Sequence, residues 1–428
     1  MKDLVRTPVN FLLKNSTAVI IIFSLVVQVI FIGRFLDNSV ISLYAPTASD
    51  ASDYTRRAEL WQAHGFDRAF GDAYRMPGYP LLLLLMHLVF PSLPNLAMRI
   101  LQLLAVALSA GLIKLILQKY VSLKFAIFIS ALYALLPIWH FVPILIGESL
   151  TSVTVVILLY LLAKAHHQKL SLILIFKISL CIAVATYVKP NNLLLLIPVL
   201  GFLMFSKHSE LLKSMTKISL FVSLLLLPWL IFVNSAQSGF LGLTTNSGVN
   251  MYIGTGMIID YDQGVLSKSA MRWKVDPRSN PSDVISSNAN QSPKEIDSAY
   301  KQKALQIWQK RPGSEVGFGL DKVLIAFGFK TNSRSDLIMG LFILLGLLSA
   351  AILLKSRTSK SWGAVLLFTM ATLATQAVLF QADRRFVVPV LFPFATICLG
   401  IALSRLPIRA IGKTLAKRSN HREFLPGT

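Results

Sequence analysis

Long apolar runs recur along the chain, and they restrict its fold more than any other feature of the sequence. The first run, residues 16–33, is long enough to cross a hydrocarbon core of ~30 Å as a helix that rises about 1.5 Å per residue. Further runs lie at 95–117, 125–144, 149–165, 170–188, 191–206, 215–234, 336–354, 361–381 and 386–404. With 54% hydrophobic and only 14% charged residues among 428, the chain is too apolar for a soluble protein. The pattern predicts an all-α polytopic membrane protein, a bundle of about ten transmembrane helices.

The basic residues indicate how the chain is oriented in the membrane. A net charge of +22 could suit a nucleic-acid partner, but a nucleic-acid binder gathers its Lys and Arg on one soluble face. Here they recur in short groups between the apolar runs, which is typical of cytoplasmic loops. With the N-terminus inside, the inner segments are all basic: 114–124, 164–169, 207–217, 355–360 and 405–428. The same topology places 17 of the 20 carboxylates outside, so we expect cytoplasmic termini and no nucleic-acid partner.

The polar segments between the runs divide the chain into parts. Residues 1–234 are predicted to form an N-terminal transmembrane module that contains a long outer loop, 35–94. Its first helix follows Lys2, Arg6 and Lys14. A run of this length with no small-x-small cleavage site after it favours an inserted anchor, a cleaved signal peptide being the alternative. The remaining parts are an outer subdomain at 235–335, C-terminal transmembrane helices at 336–404 and a basic cytoplasmic tail at 405–428.

Both outer segments are too long and too polar to be turns. In the first, the mixed residues 54–70 favour a helix at the membrane interface, and the apolar stretch 79–90 is too short to cross the bilayer. In the second, residues 239–264 have a strand-like, turn-rich pattern, and a polar stretch at 276–293 precedes a helix predicted at 294–310. We therefore expect interfacial helices in the first segment and a small extracytoplasmic α/β subdomain in the second.

Charged residues at the outer membrane edge are the candidates for chemistry, because a charge there is costly and tends to persist for binding or catalysis. These candidates are Asp50, Asp53, Arg75, Glu148, Lys189, Arg384 and Arg385. Each also has a structural interpretation. The Asp residues could cap a helix, the Glu could be a solvated loop residue, and the basic side chains could extend toward lipid headgroups. The predicted topology places all of them on one face of the bilayer.

An ordered set of short motifs carries a family resemblance. The motifs are Asp50-Ala51-x-x-Tyr54, Arg75-Met76-Pro77-Gly78-Tyr79-Pro80-Leu81, Arg99-x-x-Gln102, Gly147-Glu148-Ser149-Leu150, Lys189-Pro190, Asn246-Ser247-Gly248-Val249-Asn250-Met251-Tyr252-x-Gly254 and Arg385-Phe386-x-x-Pro389. This set resembles the lipid-dependent glycosyltransferases of the GT-C superfamily. The likeness is to the bacterial branch related to protein O-mannosyltransferases and to the enzymes that place aminoarabinose or galacturonic acid on lipid A. The chain departs from that pattern at His140, where an aromatic residue is common, and at Met76, where a second Pro is frequent.

The resemblance implies a GT-C-like helical bundle in a bacterial inner membrane, with an active site on the outer face. It maps an essential acidic residue onto Asp50 and a second onto Glu148. In the family such carboxylates serve the acceptor and, in some members, a divalent metal, so Mg²⁺ or Mn²⁺ on Asp50 and Glu148 is a candidate cofactor. Asp53 is a further candidate for acceptor or metal binding. The candidates for the substrate cavity are Tyr54, Tyr79, His140, Asn250 and Tyr252.

The predicted outward-facing position of the active site indicates the form of the sugar donor. No nucleotide sugar is available outside the cytoplasmic membrane, so an outward-facing transfer needs a sugar activated on a lipid, a polyprenyl-phosphate sugar. Its phosphate leaving group requires cations in a site of low dielectric constant, for which the candidates are Arg75, Lys189, Arg384 and Arg385. Asp50 is the candidate general base for the acceptor hydroxyl, and direct displacement would invert the anomeric carbon. The acceptor is expected to be a cell-envelope lipid, polysaccharide or protein.

Two other functions stay open on the sequence. A transporter or flippase commonly has ionisable residues inside its spans and broken helices in paired halves, and Lys177 is the clearest charge within a predicted span. A surface-polysaccharide polymerase or ligase would use similar chemistry with a pyrophosphate-linked lipid donor. The long outer loops have no evident role in transport, and they favour the glycosyltransferase.

Overall fold

The described part of the chain is built from α-helices. A computed structural model describes residues 15–37, 49–136, 138, 141–206, 210–262, 291–329, 334–356, 358–380 and 384–405, and no strand occurs within these ranges. In chain order the helices are α1 (Ser16–Asp37), α2 (Ser49–His64), α3 (Phe66–Phe70), α4 (Gly78–Val89), α5 (Pro94–Leu117), α6 (Leu123–Ala134), α7 (Glu148–His167), α8 (Leu172–Val188), α9 (Leu196–Met204), α10 (Leu211–Ala236), α11 (Ser247–Asp262), α12 (Pro293–Lys310), α13 (Pro312–Ala326), α14 (Arg334–Leu354), α15 (Lys360–Leu379) and α16 (Arg384–Leu403). A 3-10 helix, Pro190–Leu195, joins α8 to α9.

Among the described residues, seven helices are long and apolar enough to cross a membrane. Their apolar stretches are Ser16–Gly33, Pro94–Leu117, Glu148–His167, Leu211–Ala236, Leu337–Leu354, Lys360–Leu379 and Arg385–Leu403. Each coincides with a predicted run, which confirms the all-α polytopic class. The other predicted runs form shorter apolar helices, Leu123–Ala134, Leu172–Val188 and Pro190–Met204.

The predicted span at 125–144 contains only the short helix α6, which is followed by turns. Pro143 has no N–H and cannot continue a helix. Irregular backbone at membrane depth is tolerated only where other groups bond to it, and two side chains of α5 do so here. Arg99 Nε donates to the carbonyl of Pro143 at 2.7 Å, and Gln102 Nε2 donates to the carbonyl of Val142 at 2.8 Å. This polar pair holds the turns that lead into α7.

The first outer segment contains α2, α3 and α4, where the sequence predicts interfacial helices. Gly65 separates α2 from α3 with a φ of +86°, which glycine adopts without steric strain. Helix α4 has twelve residues and is too short to cross the hydrocarbon core. Gly78 at its start lies against α8, since a Cβ there would be 2.6 Å from the carbonyl oxygen of Tyr187. A side chain at this position would therefore separate the loop from the bundle.

The strand-like structure predicted for residues 239–264 is wrong, because Ser247–Asp262 form the helix α11. Asp297 of α12 accepts hydrogen bonds from the N–H of Gly248 at 2.6 Å and from the hydroxyl of Ser247 at 3.1 Å, which satisfies the start of α11. A Cβ at Gly248 would lie 2.0 Å from the carbonyl oxygen of Asp297. Gly248 thus permits two helices to pack closely, and the outer subdomain is helical in its described residues.

The helix predicted at 294–310 is confirmed as α12. Ser292 begins it with a capping box, in which the Ser292 side chain accepts from the N–H of Glu295 and the Glu295 carboxylate accepts from the N–H of Ser292 at 2.8 Å. The polar stretch predicted at 276–293 lies almost wholly outside the described residues.

We expect Asp297→Ala to lower the free energy of unfolding by about 1–3 kcal/mol, because the buried N–H of Gly248 loses its acceptor. Thermal or denaturant unfolding of the detergent-solubilised protein measures the effect. The matched control is Glu295→Ala on the same helix, which removes an exposed contact and should cost less than about 1 kcal/mol. Equal losses for the two variants would show that Asp297 does not hold α11 in place.

Candidate functional site

The candidate site is centred on Asp50, in the first turn of α2. Its carboxylate accepts a hydrogen bond from Arg75 Nη2 and another from Arg385 Nη1, each at 2.5 Å. Arg75 lies in the loop before α4, and Arg385 lies in the first turn of α16, 335 residues along the chain. A carboxylate between two guanidinium groups therefore joins the first outer segment to the C-terminal helices.

Asp53 lies one turn further along α2 and supports the same network. It accepts from Arg75 Nε at 2.9 Å and from Arg56 Nη2 at 2.8 Å. Arg75 is thereby held by two carboxylates, and its guanidinium lies 5.2 Å from the ring centroid of Tyr54. These contacts fix the direction in which Arg75 presents its charge.

Arg57 and Asp72 belong to this network, and the sequence analysis did not identify them. The Arg57 side chain is only 2% exposed. Its Nη1 and Nη2 donate to the two carboxylate oxygens of Asp72, at 2.9 and 2.7 Å. Nη1 also donates to the carbonyl of Ala69 at 2.6 Å. Arg57 follows Asp53 by one helical turn, and this spacing was the available signal. The pair holds the loop that carries Arg75.

The Arg75 loop is also fixed from the far side by the segment before α11. Ala73 in this loop has a φ of +52°, which is uncommon for a residue with a side chain. The N–H of Thr245 donates to the carbonyl of Ala73 at 3.0 Å, and Asn246 Nδ2 donates to the carbonyl of Tyr74 at 3.0 Å. The Asn246 motif thus supports a strained loop beside the charged cluster.

Glu148 and Lys189 form a second ion pair. Lys189 Nζ donates to Glu148 Oε1 at 2.6 Å, and the Glu148 side chain is buried at the start of α7. Lys189 Nζ also lies 4.2 Å from the ring centroid of Phe386, and the Arg385 guanidinium lies 5.1 Å from the same ring. The structure therefore brings Asp50, Glu148, Lys189 and Arg385 together.

The two tyrosines predicted for the cavity lie among these charges. Their ring centroids are 4.9 Å apart, and the hydroxyl of Tyr79 donates to Gln102 Oε1 at 2.6 Å. Burial raises the pKa of Tyr54 to about 12. The charge of Arg75 lowers this pKa, and the charge of Glu148 raises it. Tyr54 is therefore a neutral hydrogen-bonding group near neutral pH.

The cations set the ionisation of the acids. Burial by itself raises the pKa of Asp50, but the guanidinium groups of Arg75 and Arg385 outweigh it and hold that pKa below its usual value. For Asp53, burial likewise raises the pKa, and Arg57 and Arg75 lower it further than burial raises it. Both are carboxylates at neutral pH, and in this arrangement neither is a strong base.

A cleft opens beside the charged cluster, between the segment that follows α8 and helices α15 and α16. It encloses an empty volume of about 450 Å³, open solvent included. Its lining includes Lys189, Arg385, Phe386, Thr151, Asn191, Asn192, Leu194, Leu195, Pro198, Thr369, Thr372, Leu373, Gln376 and Val390. Thr369, Thr372 and Gln376 recur at helical spacing on one face of α15, and this polar stripe could have predicted them.

Other predicted cavity residues lie elsewhere. Tyr252 packs against Tyr300 of α12, with ring centroids 5.4 Å apart, and is not among the residues that line the cleft. Asn250 lies on the same helix and is half-buried. His140 and the side chain of Arg384 lie outside the described residues, and Arg384 is described only as the first residue of α16.

The predicted metal ligands, Asp50 and Glu148, are a poor fit for a divalent metal. Asp50 is paired with two guanidinium groups and Glu148 with an ammonium group, so a further cation at either carboxylate would be repelled. Within the described ranges, no group of three or more His, Cys, Asp or Glu residues is placed to hold a metal ion. The predicted Mg²⁺ or Mn²⁺ site stays a prediction.

The described part of the chain thus defines a polytopic helical membrane protein with a charged cleft at one end of its bundle. No family model and no curated protein matches the sequence. Among solved structures, the chain is similar to ArnT from Cupriavidus metallidurans in the apo state, with 12% identity and a TM-score of 0.40 over 93% of this chain and 78% of that chain. The structure of ArnT bound to undecaprenyl phosphate has 13% identity and a TM-score of 0.41 over 91% and 78%.

Lys322 is a buried cation that the sequence analysis did not identify. It lies on α13, is 1% exposed, and its Nζ donates to the carbonyls of Val378 at 2.7 Å and Phe380 at 3.0 Å. A third contact of 3.3 Å reaches the carbonyl of Gly254 on α11. Lys322 therefore ties the outer subdomain to the end of α15, a few residues before Arg385.

The pKa of Lys322 predicts how stability depends on pH. Burial lowers this pKa to about 8, from an ordinary value of 10.5. Between these values the folded protein binds fewer protons at this site than the unfolded chain, so the free energy of unfolding rises with pH. We expect the stability of the wild type relative to Lys322→Met to increase from about pH 8 to about pH 10 in thermal unfolding. A constant or decreasing difference would contradict this assignment.

Proposed function

We propose that this protein is a membrane glycosyltransferase, which moves a sugar from a polyprenyl-phosphate-linked donor to a lipid, polysaccharide or protein acceptor of the cell envelope. The observation that carries the proposal is Asp50, held between Arg75 and Arg385 beside a cleft that Arg385 itself lines. In this proposal Asp50 is the proton acceptor, and the neighbouring guanidinium groups bind the phosphate. Both are required where a hydroxyl group displaces a phosphate.

The cleft offers matching surfaces for such a donor. Lys189 and Arg385 line it together and can bind the phosphate oxygens. Cations fixed in a partly buried site stabilise the charge that develops on a leaving phosphate better than water does. The polar stripe of α15 offers hydroxyl and amide groups for a sugar. The apolar lining residues Leu194, Leu195, Leu373 and Val390 suit an isoprenoid chain.

Donor binding would convert Asp50 into a better base. Arg75 and Arg385 hold its pKa low in the present arrangement. A phosphate in the cleft competes for the guanidinium group of Arg385, which lines the cleft, and a contact that Arg385 gives to phosphate is taken from Asp50. Burial, which raises the pKa of Asp50, then acts with less opposition. The proposal therefore links base strength to occupancy of the donor site.

The proposed step balances as a direct displacement. The acceptor hydroxyl oxygen forms a bond to the anomeric carbon, and the bond from that carbon to the phosphate oxygen breaks with inversion of configuration. The hydroxyl proton passes to Asp50, and polyprenyl phosphate leaves with the bonding electron pair. Lys189, Arg75 and Arg385 stabilise the charge on the departing phosphate.

Glu148 and Asp53 were predicted to bind the acceptor or a metal. Their contacts favour another role within the proposal: Asp53 orients Arg75, and Glu148 orients Lys189. Each carboxylate thus fixes a cation toward the donor phosphate. An acceptor contact by either residue stays a prediction.

The charge pattern supports the orientation that we propose, with cytoplasmic termini and an extracytoplasmic site in a bacterial inner membrane. Apart from Glu210, the described acidic residues lie at the end of the bundle where Asp50 and Glu148 lie, whereas the opposite end carries Lys and Arg residues with Glu210 as its described carboxylate. Cytoplasmic loops retain Lys and Arg. The cleft would then open where a lipid-linked donor is the available form of activated sugar.

The test of the proposal is sugar transfer from a synthetic polyprenyl-phosphate sugar. We expect Asp50→Asn to lower the transfer rate by about 10²–10⁴-fold, because it removes the base. Donor affinity should not fall, because Arg75 and Arg385 are released toward the phosphate. Glu59→Gln, an exposed change on the same helix, is the matched control and should leave the rate unchanged.

The outcomes separate the alternatives. Full transfer by Asp50→Asn would remove this residue as the base. Transfer only from a pyrophosphate-linked lipid would indicate a polysaccharide polymerase or ligase. Lipid or substrate movement in proteoliposomes without sugar transfer would indicate a transporter or flippase.

The polar stripe of α15 makes a separate prediction. We expect Gln376→Leu to raise the KM for the donor by about tenfold with a much smaller change in kcat, because a buried hydrogen-bonding group is lost from the cleft. Thr375→Val on the adjacent, exposed face of the same helix is the control and should leave KM unchanged. Initial rates over a range of donor concentrations measure both constants. An equal change in the two variants would exclude the stripe from donor binding.

A further inference from the structure

A second charged cluster lies at the opposite end of the bundle from Asp50. Helix α7 connects the two ends, because it begins at Glu148 in the candidate site and ends at His167 after 20 residues, a length of about 30 Å. The two regions are therefore on opposite faces of the membrane. The proposed transferase activity uses no residue of this second cluster.

Two lysines of this cluster share one aromatic ring. Lys164 Nζ lies 4.8 Å and Lys119 Nζ lies 5.7 Å from the ring centroid of Tyr160. The ring of His167 adds a third basic group, 5.0 Å from the ring of Tyr120, the residue that follows Lys119. The face of Tyr160 attracts each ammonium, but the two like charges repel one another.

Acidic residues do not balance this charge in the described part of the chain. The described basic residues at this end include Lys119, Lys124, Lys164, His166, His167, Lys169, Lys213, Lys217, Lys355, Lys360 and Arg405. Glu210 is the only acidic residue described there, and it pairs with Lys213 at 3.3 Å. Neither Lys119 nor Lys164 has an ion pair with a described carboxylate. Within the described residues, the two ammonium groups therefore lack an anionic partner.

The face of α7 that carries these groups indicates the source of the anion. Ile157, Tyr160 and Lys164 follow one another at helical spacing along this face, and all three are at least partly exposed. Their order is apolar, aromatic and cationic toward the end of the helix. A phospholipid beside the helix has the same order of acyl chain, interface and phosphate. A free phosphate ion would make no use of Ile157.

We propose that Lys119, Lys164 and His167 bind the phosphate of an anionic phospholipid headgroup, with Tyr160 at the level of the interface and Ile157 against the acyl chain. The bound lipid relieves the repulsion between the two ammonium groups. It thereby anchors α7 at the membrane face opposite the candidate site. This assignment is independent of the proposed transfer reaction.

Native mass spectrometry of the detergent-purified protein tests the assignment with phosphatidylglycerol and phosphatidylcholine as probes. We expect the wild type to retain phosphatidylglycerol about tenfold more strongly than phosphatidylcholine, and Lys119→Gln/Lys164→Gln to lose most of this preference. The matched control is Lys213→Gln/Lys217→Gln, which removes the same charge at the same end of the bundle and should keep the preference. Lys119→Arg/Lys164→Arg should also keep it.

Equal retention of phosphatidylglycerol by the two Gln double variants would overturn the proposal, since it would reduce the effect to net charge. Inorganic phosphate provides the second arm: complete displacement of the lipid at millimolar phosphate would show a site for the free ion instead. Rates of lysine acetylation, measured on the wild-type protein in nanodiscs, test the assignment without any substitution. We expect Lys119 and Lys164 to react several-fold more slowly in phosphatidylglycerol than in phosphatidylcholine, and equal rates would overturn the assignment.

Discussion

A carboxylate at the edge of a hydrocarbon layer has lost much of its hydration, and it stays ionised only if nearby cations replace the water. At Asp50 those cations are Arg75, from a loop, and Arg385, from a helix 335 residues away. Removal of either guanidinium group would leave Asp50 with a single cationic partner for a partly buried charge. The positions of the first outer segment and of α16 are therefore coupled through one side chain, and the cleft beside them depends on this coupling.

The loop that carries Arg75 shows how the surrounding chain supports that interaction. Ala73 adopts a positive φ, and the loop keeps this conformation because Arg57 binds Asp72 on one side and Thr245 binds the backbone of Ala73 on the other. A strained backbone persists where its surroundings hold it from several directions. The loop that carries the Arg75 guanidinium is thus held by contacts that do not involve Asp50.

Polar residues inside the bundle serve the backbone as well as the site. Arg99 and Gln102 bond to carbonyls of a turn that interrupts a predicted span, and Lys322 bonds to the carbonyls at the end of α15. In a membrane each carbonyl that leaves a helix needs a donor from the protein, because water is not available in the hydrocarbon core. Side chains with long reach supply these donors. Such residues resemble catalytic candidates in a sequence, although their contacts are structural.

The sequence determined the class of the fold and most of the charged site. Apolar runs require helices in lipid, so the positions of the seven long spans could be read directly, and charges at the ends of those runs identified Asp50, Arg75, Glu148, Lys189 and Arg385. Tertiary structure decided which charge pairs with which, that α11 is a helix, and that Tyr252 packs on Tyr300 outside the cleft. It also added Arg57, Lys322 and the polar stripe of α15. The reason is physical: hydrophobic periodicity acts over a few neighbouring residues, whereas ion pairs and close glycine contacts join segments whose separation in the sequence does not indicate that they meet.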